Sequence, residues 1–520
     1  MTALLVDPPR RTRSARDGDA PPLLTAAGVA VAALTLLPLG FVVTTAVTLG
    51  PDEVRELLFR DRVAELLWNT LRLVFGGVLL STVLGVAVAW LVERSDLPWR
   101  PAWRAVLAAP LAVPAFVNGY GWVSLTHDVQ SYWGAVLVVS LSYYPLVYLP
   151  VVAGLRSMDP GLEDVARSLG EGAWSTFFRV VLPALRPAVL GGALLVALHL
   201  LAEYGALRLL NYPTLTTAIL DNYRSTFNGA SASLLAGVLV MLCLLLLIGE
   251  LRLRGRRSLA RVGGGAPQPA GLHRLGAATP WCLGGLLMLV ALSLGVPCAS
   301  LARWLVVGSS TEFVLADLAA TTGTTVGLAL AAGLLTTLLA VPVAWLAVRH
   351  RGVVADLVER STYTANALPG IVVALALVTI SIRVVQPLYQ TVPLLLLAYA
   401  ILFLPRAMVS VRSALELAPA RLDDVAHSLG ASRIGAARRV TLPMILPGLG
   451  ASTALVFLAA GTELTATLLL APTGTTTLAT AFWSRAESVA YGAAAPYALL
   501  LILLSLPATH LLTRYARGRR

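Results

Sequence analysis

Hydrophobic residues run along this chain in long blocks separated by short arginine-bearing stretches. A helix needs about 20 apolar residues to cross a bilayer. Twelve blocks reach that length: 23–48, 66–92, 103–123, 134–155, 187–209 and 230–250, then 279–305, 320–348, 361–382, 392–411, 447–470 and 491–513. Pro110, Pro114 and Pro369 interrupt the third and ninth. Prolines are tolerated in a span where neighbouring groups satisfy the freed carbonyls. The pattern predicts an all-α polytopic membrane protein with twelve transmembrane helices.

The blocks repeat. Thr82–Leu91 (TVLGVAVAWL) matches Thr337–Leu346 (TLLAVPVAWL) at an offset of 255, and Tyr148-Leu149-Pro150 matches Phe403-Leu404-Pro405 at the same offset. Residues 162–187 then match 422–447 at an offset of 260, with 12 of 26 positions identical. A net five-residue insertion in the interval 150–162 of the first copy's frame accounts for the change. Six spans per copy is an even number, which makes the repeats parallel and implies a pseudo-two-fold axis along the membrane normal, with the pathway between the halves. The expected division is a cytoplasmic tail 1–22, a six-span domain 23–250, a cytoplasmic linker 251–278, a second six-span domain 279–513 and a tail 514–520.

Charge fixes the orientation. With both termini inside, 30 of the 39 basic residues fall on the cytoplasmic side, which satisfies the positive-inside rule. The outer loop 49–65 is mixed in sign. The N-terminal tail, with Arg10, Arg11, Arg13 and Arg16, is polar and carries no cleavable signal pattern.

Composition narrows the function. Of 520 residues, 57% are hydrophobic and 13% charged, and mean hydropathy is +0.78. A soluble domain carries about twice that charged fraction. Net charge +12 fits topology-setting loops better than a nucleic-acid partner. Every basic residue is arginine. A Walker A loop needs its lysine, so ATP hydrolysis, if it drives this protein, belongs to another chain. Cys243, Cys282 and Cys298 all lie in apolar runs, where cysteine acts as a small hydrophobe; no disulfide framework, metal site or cofactor is expected.

The most informative motif is polar and occurs twice. The first copy reads Glu163-Asp164-Val165-Ala166-Arg167-Ser168-Leu169-Gly170, followed by Leu182-Pro183 and Pro187. The second reads Asp423-Asp424-Val425-Ala426-His427-Ser428-Leu429-Gly430, followed by Leu442-Pro443 and Pro447. Leu162, Val165 and Leu169 give one apolar stripe on a short helix. The paired acids sit in its first turn, where the helix dipole favours them, and the glycine permits the left-handed residue that ends it. A second helical stretch is expected to stop near the Leu-Pro. One copy alone reads equally well as a helix resting on the membrane surface; two copies at matching places suit docking to a two-fold partner.

These segments resemble the EAA loop of binding-protein-dependent ABC importer permeases, whose pattern is roughly EAA, three residues, Gly, nine residues, then Ile/Leu-x-Leu-Pro. The alanine-rich start is replaced by Glu-Asp-Val-Ala and Asp-Asp-Val-Ala here, while the Gly and Leu-Pro spacings are kept. The resemblance implies that Glu163, Asp164, Ala166, Gly170, Leu182 and Pro183, with Asp423, Asp424, Ala426, Gly430, Leu442 and Pro443, form coupling helices seated on two copies of a separate ATPase. It also implies an extracytoplasmic binding protein and a location in the bacterial inner membrane. The fused two-copy form, with Glu463–Gly474 and Thr477–Thr480, looks like ferric-iron permeases; thiamine and phosphonate permeases have related fused forms.

Two acids fall inside predicted spans, Glu203 in the fifth and Glu463 in the eleventh, separated by the same 260 residues as the loops. A mid-membrane carboxylate costs at least about 2.5 kcal/mol, so both should face protein or water. They are candidates for the pathway wall; the competing reading is a pair hydrogen-bonded between helices. His199 and the tyrosines Tyr143, Tyr144 and Tyr148 read as packing or interfacial residues. An ion-coupled secondary transporter is the rival from another class, since it would use intramembrane acids, but it leaves the twin loops unexplained. An intramembrane enzyme is a distant third, because no catalytic constellation stands out.

Overall fold

The structure, a computed structural model, describes residues 21–159, 161–224, 229–254, 271–308, 310–350 and 352–516. The arginines of the N-terminal tail, linker residues 255–270 and Arg517, Arg519 and Arg520 lie outside the described residues.

Among the described residues the chain is helical, with an isolated bridge between Ser95 and His273. Within the described residues, eight helices are long and apolar enough to cross a membrane: Pro22–Leu49, Asp61–Arg94, Trp174–Ala202, Gly229–Leu253, Gly276–Val307, Leu315–Arg349, Val392–Leu417 and Ala437–Gly461. Two bent pairs raise the number to ten if each is one span. The first pair, Arg100–Ala112 and Ala115–Val123, turns by 87° where Pro114 interrupts the helix, as the sequence suggested. The second, Tyr132–Tyr143 and Pro145–Ser157, bends by 42°. That break was not expected from the unbroken block 134–155. Pro145 lacks the N–H that would continue the ladder.

The fifth and eleventh blocks end earlier than hydropathy suggested. Their helices close at Ala202 and Gly461, and short helices Gly205–Leu209 and Thr465–Leu470 follow a break. They also begin earlier. The second helical stretch of each loop does not stop at Leu-Pro; it runs into the span through a π-helical turn, Phe177–Val181 and Ala437–Thr441. Pro183 and Pro443 follow directly on those turns and lack the N–H that would continue the ladder there.

Packing divides the chain into two compact units that do not follow the sequence copies: Met1–Leu37, Leu330–Asn366 and Ala400–Phe457 in one, and Pro38–Ala329, Ala367–Tyr399 and Leu458–Arg520 in the other. In the larger unit, helices Asp61–Arg94, Pro145–Ser157 and Leu182–Ala202 pack closely against one another. Glycines make this possible. A Cβ on Gly85 would lie 2.7 Å from Val147 Cβ, and one on Gly192 would lie 2.8 Å from Val147 Cα. Small residues at such contacts let membrane helices gain dispersion energy where no hydrophobic drive exists. In the smaller unit, Thr337 on Leu315–Arg349 exchanges hydrogen bonds with Ser452 (2.8 Å) and Thr453 (3.2 Å) on Leu442–Gly461.

The segment leading into helix Gly276–Val307 is anchored. His273 N–H donates to the Arg94 carbonyl at 2.8 Å, Asp96 N–H donates to the His273 carbonyl at 3.1 Å, and Leu275 N–H donates to Asp96 Oδ1 at 2.9 Å.

Candidate functional site

The two polar loops fold alike, each within its own unit. Helix Gly161–Ser168 ends at Gly170 with φ +87°, and helix Ala420–Ser428 ends at Gly430 with φ +86°. Glu171 N–H donates to the Ala166 carbonyl at 3.1 Å, and Ala431 N–H to the Ala426 carbonyl at 3.0 Å. This six-to-one bond across a left-handed residue is the Schellman cap. Ala166 and Ala426 are both buried, which explains the small residue at that place. A short turn of helix then leads into the π-helical turn and the span.

The first acid of each loop points inward. Arg94 Nε lies 2.9 Å from Glu163 Oε1, and Arg94 also donates to the Leu155 carbonyl at 2.9 Å. In the other unit Arg349 lies 3.7 Å from Asp423 Oδ2 and donates to the Ala418 carbonyl at 2.9 Å, while Thr441 Oγ1 donates to Asp423 Oδ1 at 2.6 Å. Arg94 and Arg349 stand 255 residues apart, at the end of matching helices. The second acids, Asp164 and Asp424, are exposed. So are Leu162, Val165 and Leu169 in one copy and Leu422, Val425 and Leu429 in the other. Each loop therefore presents an apolar face outward and a clasped acid inward. Leu182 is half-buried, and Pro183, Leu442 and Pro443 are exposed. Glu171 follows the first loop; its carboxyl is held below the usual carboxylate range by the Ser175 hydroxyl and then the Arg179 guanidinium.

A charge cluster centred on the buried Glu93, beside the first loop, was not foreseen from the sequence. Glu93 accepts two bonds from Arg104, at 2.8 and 2.9 Å, and one from Arg156 at 2.8 Å. In the second copy Val348 stands where Glu93 does, and Glu359 replaces Arg104. There Arg412 pairs with Glu359 and, at 2.9 Å, with Glu416. The acid has moved from one helix to the next, which hides the relationship from a residue-by-residue alignment.

Glu203 and Glu463 occupy the breaks that end the fifth and eleventh blocks. Each is half-buried and turns back on the short helix that follows: Ala206 N–H donates to Glu203 Oε1 at 2.9 Å, and Ala466 N–H donates to Glu463 Oε1 at 3.0 Å. An acid accepting from the first free N–H groups of a helix stabilises its start. Tyr143 donates its hydroxyl to Glu203 and lies within electrostatic reach of Glu463. Tyr143 thus does more than pack. Tyr399 hydrogen-bonds Thr467 at 2.6 Å, and Thr467 donates to the Glu463 carbonyl at 2.8 Å. His199 bonds the Leu195 carbonyl at 2.8 Å, in keeping with a packing role.

Beyond the breaks a second matched pair appears in the larger unit. Leu215 N–H donates to Thr70 Oγ1 at 3.0 Å, and Leu478 N–H donates to Thr325 Oγ1 at 2.8 Å. These bonds pin the starts of helices Leu215–Arg224 and Leu478–Glu487. Thr70 and Thr325 are again 255 residues apart. Tyr204 lies against Trp483, with ring centroids 5.2 Å apart, and Phe116 against Phe482 at 5.5 Å.

Twin clasped loops thus recur at matching places among helices that are long and apolar enough to cross a membrane. The chain matches the model of the binding-protein-dependent transport system inner membrane component over residues 70–252 and again over 333–520. It belongs to that family and is a permease subunit of an ABC importer in a bacterial membrane. An ATPase and a substrate-binding protein are the partners such a subunit works with. Over 484 residues the chain is 40% identical to an Fe(3+)-transport system permease protein of Haemophilus influenzae, covering 92% of this chain and 96% of that one. A molybdenum transport system permease protein of Escherichia coli is 32% identical over 146 residues, 25% of this chain and 63% of that protein. A sulfate transport system permease protein of the same bacterium is 27% identical over 246 residues, 44% and 89% respectively.

Proposed function

We propose that this chain forms the whole translocation pathway of a ferric-iron importer. The observation that carries the proposal is the 40% identity, over nearly the full length of both chains, to a permease named for Fe(3+) transport. In this reading the chain has twelve spans in two parallel six-span domains, 23–250 and 279–513, joined by the cytoplasmic linker 251–278 and related by a pseudo-two-fold axis along the membrane normal. The eight long helices, the two bent pairs and the shorter apolar helices Gly370–Arg383 and Tyr491–Pro507 add up to that number. Arginine distribution favours both termini in the cytoplasm.

Two ATPase copies dock on the loops, one on Glu163–Gly170 and one on Asp423–Gly430. Their closure moves the loops as levers and rocks the halves between outward- and inward-facing states. The buried Arg94–Glu163 pair and the half-buried Arg349–Asp423 pair support this reading, because a lever must be fastened to what it moves. A binding protein delivers cargo outside. Glu203 and Glu463 stand along the pathway, and Tyr143, bonded to one and within the field of the other, supports their being neighbours across it.

The test is reconstitution in liposomes with the ATPase and the binding protein. Iron-loaded binding protein should stimulate ATP hydrolysis and drive uptake of labelled iron. Stimulation by a thiamine- or phosphonate-loaded protein instead would reassign the cargo. Uptake that follows an ion gradient without ATP would return the chain to the secondary transporters.

A further inference from the structure

A cavity of about 690 Å³ opens in the larger unit beside the turn Pro472–Thr476 and helix Leu478–Glu487. Such a volume suits a small ligand with part of its hydration shell. Its lining mixes apolar residues with hydroxyls and guanidiniums. Thr475, Thr476, Thr480 and Ser484 contribute hydroxyls, and Arg224 and Arg485 contribute guanidiniums.

The donors are differently committed. Arg485 is fixed in place, 4.2 Å over the Tyr497 ring and 3.5 Å from Asp317. Arg224 donates to the Leu468 carbonyl at 2.7 Å and has no carboxylate within ion-pair distance among the described residues. The hydroxyls of Thr475, Thr476 and Ser484 make no hydrogen bond within the described residues. One carboxylate lines the cavity, Glu487, and Arg208 stands 3.7 Å from it. The nearby pathway acid Glu463 is turned to the Ala466 N–H.

A bare trivalent cation would meet two guanidiniums here and one already paired carboxylate. An oxyanion would meet hydroxyl donors and a guanidinium fork that matches its oxygens. We infer that this cavity is a subsite for an oxyanion, and that the cargo passes it as a metal carrying oxygen-anion ligands rather than as the naked ion. The inference deepens the ferric-iron reading. The geometry puts the subsite just beyond the Gly461 break, at the end of the eleventh helix remote from its loop, where a cargo released by the binding protein would first meet the chain.

Orthophosphate serves as the probe, since it needs no iron. The full chain in lipid nanodiscs is dialysed against radiolabelled orthophosphate into the millimolar range, beside Arg224→Gln and Thr476→Val. The expected result is saturable binding, weakened at least about five-fold by Arg224→Gln and measurably by Thr476→Val, with molybdate competing and chloride not. Thr476 is exposed, so its variant keeps the test valid should Arg224→Gln fold poorly. Absence of saturable binding to the parent, or equal binding by parent and folded variants, overturns the subsite. Failure of the iron reading shows separately, as a loss of stimulation by iron-loaded binding protein while phosphate binding stays intact.

Discussion

Arg94 and Glu163 form a tighter clasp than their counterparts Arg349 and Asp423. The first pair meets at 2.9 Å with both side chains 7% exposed; the second stands at 3.7 Å with 12% and 16% exposed. Breaking a buried pair by removing one partner costs about 3–5 kcal/mol, because a charge is left alone in a poor solvent for it. Glu163→Gln should therefore lower thermal stability more than Asp423→Asn, whose position keeps the Thr441 hydroxyl as a partner. Melting temperatures of the two variants, with uptake per ATP hydrolysed, check the order. Equal losses would remove the asymmetry.

Gly170 and Gly430 each hold a φ near +87° that an L side chain adopts at a cost of about 1–2 kcal/mol. Nothing crowds either position, so the penalty is conformational. Valine at both should leave the permease in the membrane but raise ATP hydrolysis relative to uptake. Normal coupling in the double variant would contradict the lever assignment.

Glu203 and Glu463 cap short helices through one oxygen each. Gln keeps that acceptor, whereas Ala loses it at about 0.5–2 kcal/mol per cap. The double Gln variant should fold normally and take up iron several-fold more slowly; the double Ala variant should also melt earlier. If double Gln transports at the parent rate, the acids serve only the helix breaks.

The absence of lysine predicts that the purified chain binds no ATP. Equilibrium dialysis with a labelled, non-hydrolysable ATP analogue tests it directly. Stoichiometric binding to the isolated chain would refute it.

Much of this architecture was legible as sequence. Hydropathy marks the apolar blocks, because burial in lipid demands the same chemistry at every position of a span. The loops were legible because their glycine, alanine and leucine each answer a local geometric need that recurs at fixed spacing. The breaks after Ala202 and Gly461 were not, since apolar residues continue past them, through Gly205-Ala206-Leu207 and Leu468-Leu469-Leu470. Tyr143 was passed over for a similar reason. Its bond to Glu203 joins residues 60 apart, and nothing in a tyrosine-rich run says which ring will meet a carboxylate. The migrated acid of the Glu93 and Glu359 clusters escaped because the repeat conserves the ion pair's place but not the residue that supplies it.

The π-helical turns at Phe177–Val181 and Ala437–Thr441 act as phase shifters. An α-helix advances about 100° per residue, and one surplus residue in a turn offsets everything before it by that angle. The direction in which Leu162, Val165 and Leu169 face is thereby uncoupled from the direction in which the following span packs. Both copies carry the offset at the same place, although the residues within it differ (Phe-Phe-Arg-Val-Val against Ala-Arg-Arg-Val-Thr). Two spans with different neighbours can therefore present their exposed apolar faces on the same bearing, and deleting one residue from either turn would swing that bearing by more than a quarter of a circle without altering a single exposed side chain.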